Sequence, residues 1–542
     1  MHFTTLHRLP AGQTVAGAQT LSRLGEYLTA FWNSRYYFSA LLLAAALPLL
    51  AGQALVGIGI MVCIACAYLV LCADLLASFF PILLIFLLGT EFYDNIGGLF
   101  AEARWIVPLA AAAIFLRCIR FGGSFAKGKC TKSLVAVSIA TVLGGLGSLS
   151  AKAYFAPVAL YYAIGLGPAM LLFYSLLQGV LRQRRNYDLG QRLSSLFYAA
   201  GLFTALVVAW VYIKNWQLFV QTRSSVYFSY RNYCATMLLL ALPMPCFFLK
   251  KNGWHLLGLG VLYGALLMTG SRTGLLFGSA LAAASLLWAF QYSLWLQRNR
   301  KKFLWLLLPA AVLLAVFAKR MFLSRLTGGA LISPTDSRVT FFLQGISDFA
   351  SAPLFGKGLG AMDNRDIFIG VPGSIVWYHN AVAQVLGSMG LVGAVAYLWQ
   401  FGQRLSLLLR LRGTPYSIFL LVYLGMVAVS MTNPGLFCPF PNAFLMILLF
   451  TVTEQLVPQE ATVTAKRLIS GKPRFFTLPQ RRPLPAFTTV EAVLPVYWYS
   501  MDLGPPGSLF LLQAFEESLE HSSMGSEGLF FITKHRHLKC EI

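Results

Sequence analysis

Runs of apolar residues, each close to the length needed to cross a lipid bilayer, recur through the chain and restrict its fold more than any other feature. A hydrocarbon layer about 30 Å thick takes about 20 residues of helix, and inside it every backbone N–H and C=O must find a partner within the protein. The runs lie near 37–56, 57–74, 76–92, 104–117, 133–150, 157–180, 194–212, 231–249, 254–270, 273–295, 303–318, 380–399, 415–432 and 438–455. With 58% hydrophobic and 11% charged residues among 542, one soluble core would leave a large apolar surface bare. The expectation is an all-α, polytopic membrane protein with about 12–14 transmembrane helices. It divides into an N-terminal arm (1–36), a transmembrane region (37–455) and a tail (456–542).

Lys and Arg resist translocation and collect in cytoplasmic loops. With the N-terminus inside, 30 of the 42 Lys and Arg fall on the inner side, in the N-terminal arm, the tail and connections that carry Arg117, Lys129, Arg182, Arg298, Arg404 and Arg410 among others. Both termini are then cytoplasmic, and the net charge of +23 is a topology signal and an attraction to membrane lipids, not a nucleic-acid footprint. The same topology makes 319–378 one large extracytoplasmic loop. The polar N-terminal arm has no small-residue cleavage site, so the first run is expected to be a retained span. The tail recurs in proline, from Pro458 to Pro506, and is expected to be irregular. None of the nine cysteines falls in the large loop, which excludes a disulfide-stapled ectodomain there, and Cys63 with Cys66 sits in an apolar run as packing.

Ionisable groups beside spans cost about 2.5–3.5 kcal/mol on insertion scales, so those present need a reason. Arg272 lies in Thr269-Gly270-Ser271-Arg272-Thr273-Gly274, a tight turn between two runs at the predicted outer surface. Either it snorkels to mark the interface or it holds an anion there. Arg338 follows a helix-start pattern, and Phe341, Phe342, Gly345, Ile346 and Phe349 recur at helical spacing, which predicts an amphipathic helix along the outer surface. His379 stands where the loop enters the next run, is followed by Asn380, and is the side chain able to exchange a proton near neutral pH. Trp377 and Tyr378 suit either stacking on a sugar face or an aromatic belt. Arg231, between Tyr230 and Tyr233, is a further candidate. Asp348, Asp363 and Asp366 are external carboxylates, and Asp363 with Asp366 is a weak metal or base site. Gly356-Lys357-Gly358-Leu359-Gly360 is expected to be a flexible turn and lacks the strand and helix of a nucleotide loop.

Taken in order, Ser271-Arg272-Thr273-Gly274, Arg338, Pro353-Leu354-Phe355-Gly356-Lys357-Gly358-Leu359-Gly360, His379-Asn380, Gly390 and Gly393 resemble the shared domain of O-antigen ligases and related polysaccharide polymerases, over about 255–400. The resemblance implies a GT-C-like membrane glycosyltransferase of the bacterial inner membrane, needing no metal or other cofactor. It would transfer a glycan from undecaprenyl pyrophosphate to a hydroxyl of a glycan or lipid acceptor, with inversion. It also implies roles for residues: Arg272 and Arg338 on the pyrophosphate, and His379 as base or phosphate ligand, with Asn380, Arg231, Trp377 and Tyr378 lining the substrate site. A flippase or transporter of lipid-linked saccharides is the rival from another class. Such proteins show matched halves and charges near the midplane, whereas the ionisable groups here gather at the outer ends of runs and one large loop is unmatched.

Overall fold

The computed structural model describes residues 16–95, 102–123, 125–147, 158–182, 187–222, 226–249, 252–301, 303, 337–359, 377–433, 435–436 and 440–469. Among these the regular structure is entirely helical: α1 (Ala16–Asn33), α2 (Tyr37–Leu50), α3 (Ala54–Leu71), α4 (Phe79–Leu88), α5 (Ile106–Phe121), α6 (Thr131–Gly147), α7 (Val158–Ile164), α8 (Met170–Leu181), α9 (Leu189–Lys214), α10 (Trp216–Thr222), α11 (Arg231–Ala241), α12 (Met244–Phe248), α13 (His255–Met268), α14 (Arg272–Tyr292), α15 (Leu294–Arg298), α16 (Ser337–Ser351), α17 (Ala381–Leu409), α18 (Ile418–Ser430) and α19 (Phe440–Ile469). The all-α, polytopic expectation holds. Among the described residues six helical stretches are long and apolar enough to cross a membrane, Ala54–Leu71, Leu75–Phe92, Tyr162–Leu181, Leu189–Lys214, Arg272–Tyr292 and Ala381–Leu409, and shorter apolar helices such as His255–Met268 stand beside them.

Every expected apolar run coincides with helix except 303–318, which lies outside the described residues apart from Phe303. Several runs are broken for local reasons. The chain turns at Gly52, whose φ of 72° favours glycine, and so separates α2 from α3. Pro243 interrupts 231–249 because it has no N–H for the helical ladder. Gly165–Ala169, with Pro168 inside, forms a π turn that joins α7 to α8. There Gly167 approaches α6 so closely that a Cβ would lie 2.0 Å from the Thr141 hydroxyl. At the C-terminal end α19 runs to Ile469, past the expected domain boundary at 455.

Two packing relations position the polar groups. α17 lies against α6 and α16, and α18 lies against α11 and α14. The ends of α11, α14, α16 and α17 that start each helix, together with the residues after α18, meet at one end of the bundle.

Candidate functional site

The turn between α13 and α14 forms as expected. Gly270 takes a φ of 66°, and the Ser271 hydroxyl accepts from the Gly274 N–H at 3.2 Å, which caps α14. The same hydroxyl donates to the Asn232 side-chain Oδ1 at 3.2 Å, tying this cap to the first turn of α11. Arg272 is exposed in the first turn of α14. Next to it the Thr273 hydroxyl accepts from the Arg338 guanidinium at 3.4 Å and from the Thr432 hydroxyl at 3.0 Å. Three chain segments far apart in sequence therefore converge on Thr273.

His379 and Asn380 join the same end. The Asn380 side-chain Oδ1 accepts from the N–H groups of Val382 and Ala383 at 2.9 and 3.1 Å, a bidentate cap of α17, while its side-chain amide donates to the Met431 carbonyl at 2.8 Å. Asn380 thereby holds α17 beside the segment that carries Thr432. His379 has a φ of 54°, the only positive value for a non-glycine residue among those described, at a cost of order 1–3 kcal/mol that the surrounding bonds must absorb. Its ring packs on Phe341 of α16, centroids 5.5 Å apart. The imidazole Nδ1 is buried and has no hydrogen-bond partner among the described residues. Burial first, and the nearby Arg338 charge second, lower its pKa from 6.5 to about 4, so the ring is neutral at pH 7.

The glycine-rich segment 353–359 is not a flexible turn but a strap seated on α17. Gly390 has φ 60° and ψ −153°, which breaks the helix locally. Into that break the strap makes ladder-like bonds: Lys357 N–H to Gly387 O (2.8 Å), Gly358 N–H to Ser388 O (3.0 Å), Leu391 N–H to Pro353 O (2.8 Å) and Val392 N–H to Leu354 O (3.2 Å). A Cβ on Gly390 would stand 2.5 Å from the Leu354 carbonyl, and one on Gly356 would stand 2.4 Å from the Met389 nitrogen. The glycine spacing thus encodes backbone-to-backbone docking. One layer nearer the site, Gly345 and Gly387 let α16 and α17 close around the Tyr378 ring, with Cβ positions at 3.1 and 3.0 Å from it.

The reading of Tyr378 as a stacking platform gives way to packing. Tyr378 is 1% exposed, and its hydroxyl donates to Asp348 at 2.6 Å, so its ring faces are not presented for stacking on a sugar. Trp377 is half-buried and packs edge-on to Tyr162 at 5.1 Å. Asp348, read from sequence as an external carboxylate, is 1% exposed and also accepts from the Gln344 amide at 2.9 Å. Its helical face turns inward because Phe341, Gly345 and Asp348 share the stripe that meets α17. Arg231 stacks on Tyr227 at 4.6 Å, at the start of α11 beside the Asn232 link. Sequence reading did not single out Thr432 or Asn433, whose amide nitrogen is buried without a partner among the described residues; no pattern marks two polar residues after an apolar helix as converging on a distant turn. Asp363 and Asp366 lie outside the described residues, and no group of metal-ligating side chains occurs among those described.

These features define a multi-pass membrane protein with a polar, cation-bearing site gathered at one end of its helices. Residues 257–398, a stretch that contains Arg272, Arg338, His379, Asn380 and the strap, match the O-antigen ligase family (Wzy_C), so that stretch is O-antigen ligase/polymerase-like. No curated protein matches the chain.

Proposed function

We propose that the protein transfers an oligosaccharide or polysaccharide from undecaprenyl pyrophosphate to an acceptor hydroxyl on the outer face of the bacterial inner membrane. The observation that carries this reading is the meeting of Arg338 with Thr273, next to Arg272, and with a neutral His379 whose buried Nδ1 has no hydrogen-bond partner among the described residues. A lipid pyrophosphate leaving group gains negative charge as its bond to the sugar breaks, and fixed guanidinium groups stabilise that charge where water screens poorly. Arginine suits this task because its planar fork engages two phosphate oxygens together.

In this scheme the acceptor oxygen attacks the anomeric carbon from the face opposite the pyrophosphate, which inverts the configuration. The carbon–oxygen bond to phosphate breaks and its electron pair leaves on the pyrophosphate. The acceptor's proton passes to His379, whose neutral ring is an acceptor rather than a cation, and returns from there to solvent or product. Phosphate in the site also offsets the Arg338 charge that holds the His379 pKa down, so donor binding raises the strength of the base. No step requires a metal. Replacing Arg272, Arg338 or His379 singly by Ala is expected to lower transfer by about 10²–10³-fold in purified protein given a defined undecaprenyl-pyrophosphate glycan, with expression retained and EDTA without effect. Unchanged transfer in all three variants overturns the assignment.

A further inference from the structure

A second feature, unexplained by glycan transfer, runs along α17 from Ala381 and Met431 beside the site to Arg404 near the helix's other end. A cleft of about 480 Å³ runs along α17 between α6, α8, α18 and α19, with walls of Val137, Met170, Val385, Leu398 and Ile447. Leu398 and Phe401 at its lips are 69% and 36% exposed, which opens it sideways toward lipid. Its polar end is Gln400 and Arg404. α17 has 29 residues, about 44 Å at about 1.5 Å per residue, whereas the hydrocarbon is about 30 Å thick. With Asn380 at one boundary, Arg404, in the last two turns, falls at the headgroup level of the opposite one.

Arg404 is 8% exposed, and its Nε is buried without a hydrogen-bond partner among the described residues. Its guanidinium lies 4.6 Å over the Phe450 ring. The buried carboxylate of Glu454, on the same helix as Phe450, forms no ion pair with it. Glu454 already accepts from the N–H groups of Lys129 and Cys130 (2.7 and 3.0 Å), the Tyr174 hydroxyl (2.6 Å) and the Gln178 amide (2.8 Å), and so caps α6. Gln403 donates to the Lys129 carbonyl at 2.8 Å, which brings the exposed Lys129 to the same rim. Among the described residues Arg404 has no ion-pair partner; a buried cation so placed is costly, and an apolar trough that ends on one selects an amphiphile with an acidic head.

We infer that this cleft binds one anionic glycerophospholipid of the leaflet opposite the transfer site, with its phosphate on Arg404 and an acyl chain along α17. By the charge bias of the sequence that leaflet is the cytoplasmic one. The test uses the full-length protein, delipidated in neutral detergent and titrated with phosphatidylglycerol or phosphatidylcholine while native mass spectrometry counts bound lipid. Wild type is expected to prefer phosphatidylglycerol by about ten-fold or more, as one hydrogen-bonded charge contact provides. Arg404→Gln removes that preference and Arg404→Lys keeps most of it. Leu398→Trp, which fills the trough and leaves the charge, lowers retention of both lipids, so the inference stays testable if Arg404→Gln fails to fold. Equal retention of the two lipids by wild type, or an unchanged preference in Arg404→Gln, overturns it. So does displacement by inorganic phosphate, which would make the site one for a free anion. Displacement by equimolar undecaprenyl phosphate likewise overturns it and assigns the trough to the isoprenoid carrier.

Discussion

Replacing Gly390 by Ala tests whether the strap positions the site. The backbone at Gly390, φ 60° and ψ −153°, belongs to a region that costs a residue with a side chain about 1–3 kcal/mol. Strain alone is not the whole cost, because the new Cβ would stand 2.5 Å from the Leu354 carbonyl carbon and oxygen, which are backbone atoms. The strap must lift. The four bonds it makes to Gly387, Ser388, Leu391 and Val392 are then lost or stretched, and at about 0.5–1.5 kcal/mol each the destabilisation is about 2–6 kcal/mol. Because the strap follows directly from α16, lifting it also loosens Arg338 at the other end of that helix. Gly402→Ala is the matched control: the same helix, with nothing within 4 Å of the new Cβ, and an expected gain of about 0.5–1 kcal/mol. Thermal unfolding in detergent, followed by tryptophan fluorescence, and glycan transfer are measured on both variants. A lower Tm and reduced transfer for Gly390→Ala, beside an unchanged or higher Tm for Gly402→Ala, is the expected result. Equal Tm and equal transfer would refute the reasoning.

Other consequences are equally direct. Tyr378→Phe removes the bond to Asp348 and leaves the peptide that carries His379 less fixed, so transfer should fall with little change in donor affinity; a change in affinity alone contradicts this positioning role. The His379 pKa, read by hydrogen exchange at the imidazole C2 with mass spectrometry, should lie below the ordinary 6.5, and Arg338→Ala should raise it only part of the way, because burial is the larger cause. A value of 6.5 in both proteins contradicts the geometry. The sign for stability follows: between about pH 4 and 6.5 the unfolded chain binds a proton that the native site excludes, so this residue's contribution to stability is lost as pH falls through that window. Glu454→Gln keeps the shape but weakens four bonds, two at the start of α6 and two from Tyr174 and Gln178 of α8, at a cost of about 1.5–3 kcal/mol read as a lower Tm; an unchanged Tm would show that these bonds are not needed.

The elements and the cations were legible in the sequence because their signals are local. Apolar length marks a helix, Gly270 marks a turn, and a charge beside an apolar run marks itself by its cost. What stayed hidden was long-range. Nothing near Gly390 says that residues 353–358 will insert their backbone at that point, so the strap read as a flexible linker. Asp348 looked like a solvent-facing carboxylate because its partner, Tyr378, is thirty residues away and looked like a sugar platform. Thr432 reaches Thr273 across more than a hundred residues. Arg404 counted only as topology, since a sequence shows a positive charge on the inner side but not that its Nε is buried at the end of an apolar cleft.

The convergence of Arg338 and His379 on one reacting group is tested most directly by a double-mutant cycle on single-turnover glycan transfer. Each single Ala variant is expected to lose transfer by about 10²–10³-fold, as removal of one preorganised stabilising group does. Groups that act as a unit are not additive, so the double variant should be little worse than the poorer single one. Losses that multiply in the double variant, as for independent sites, would contradict a shared site.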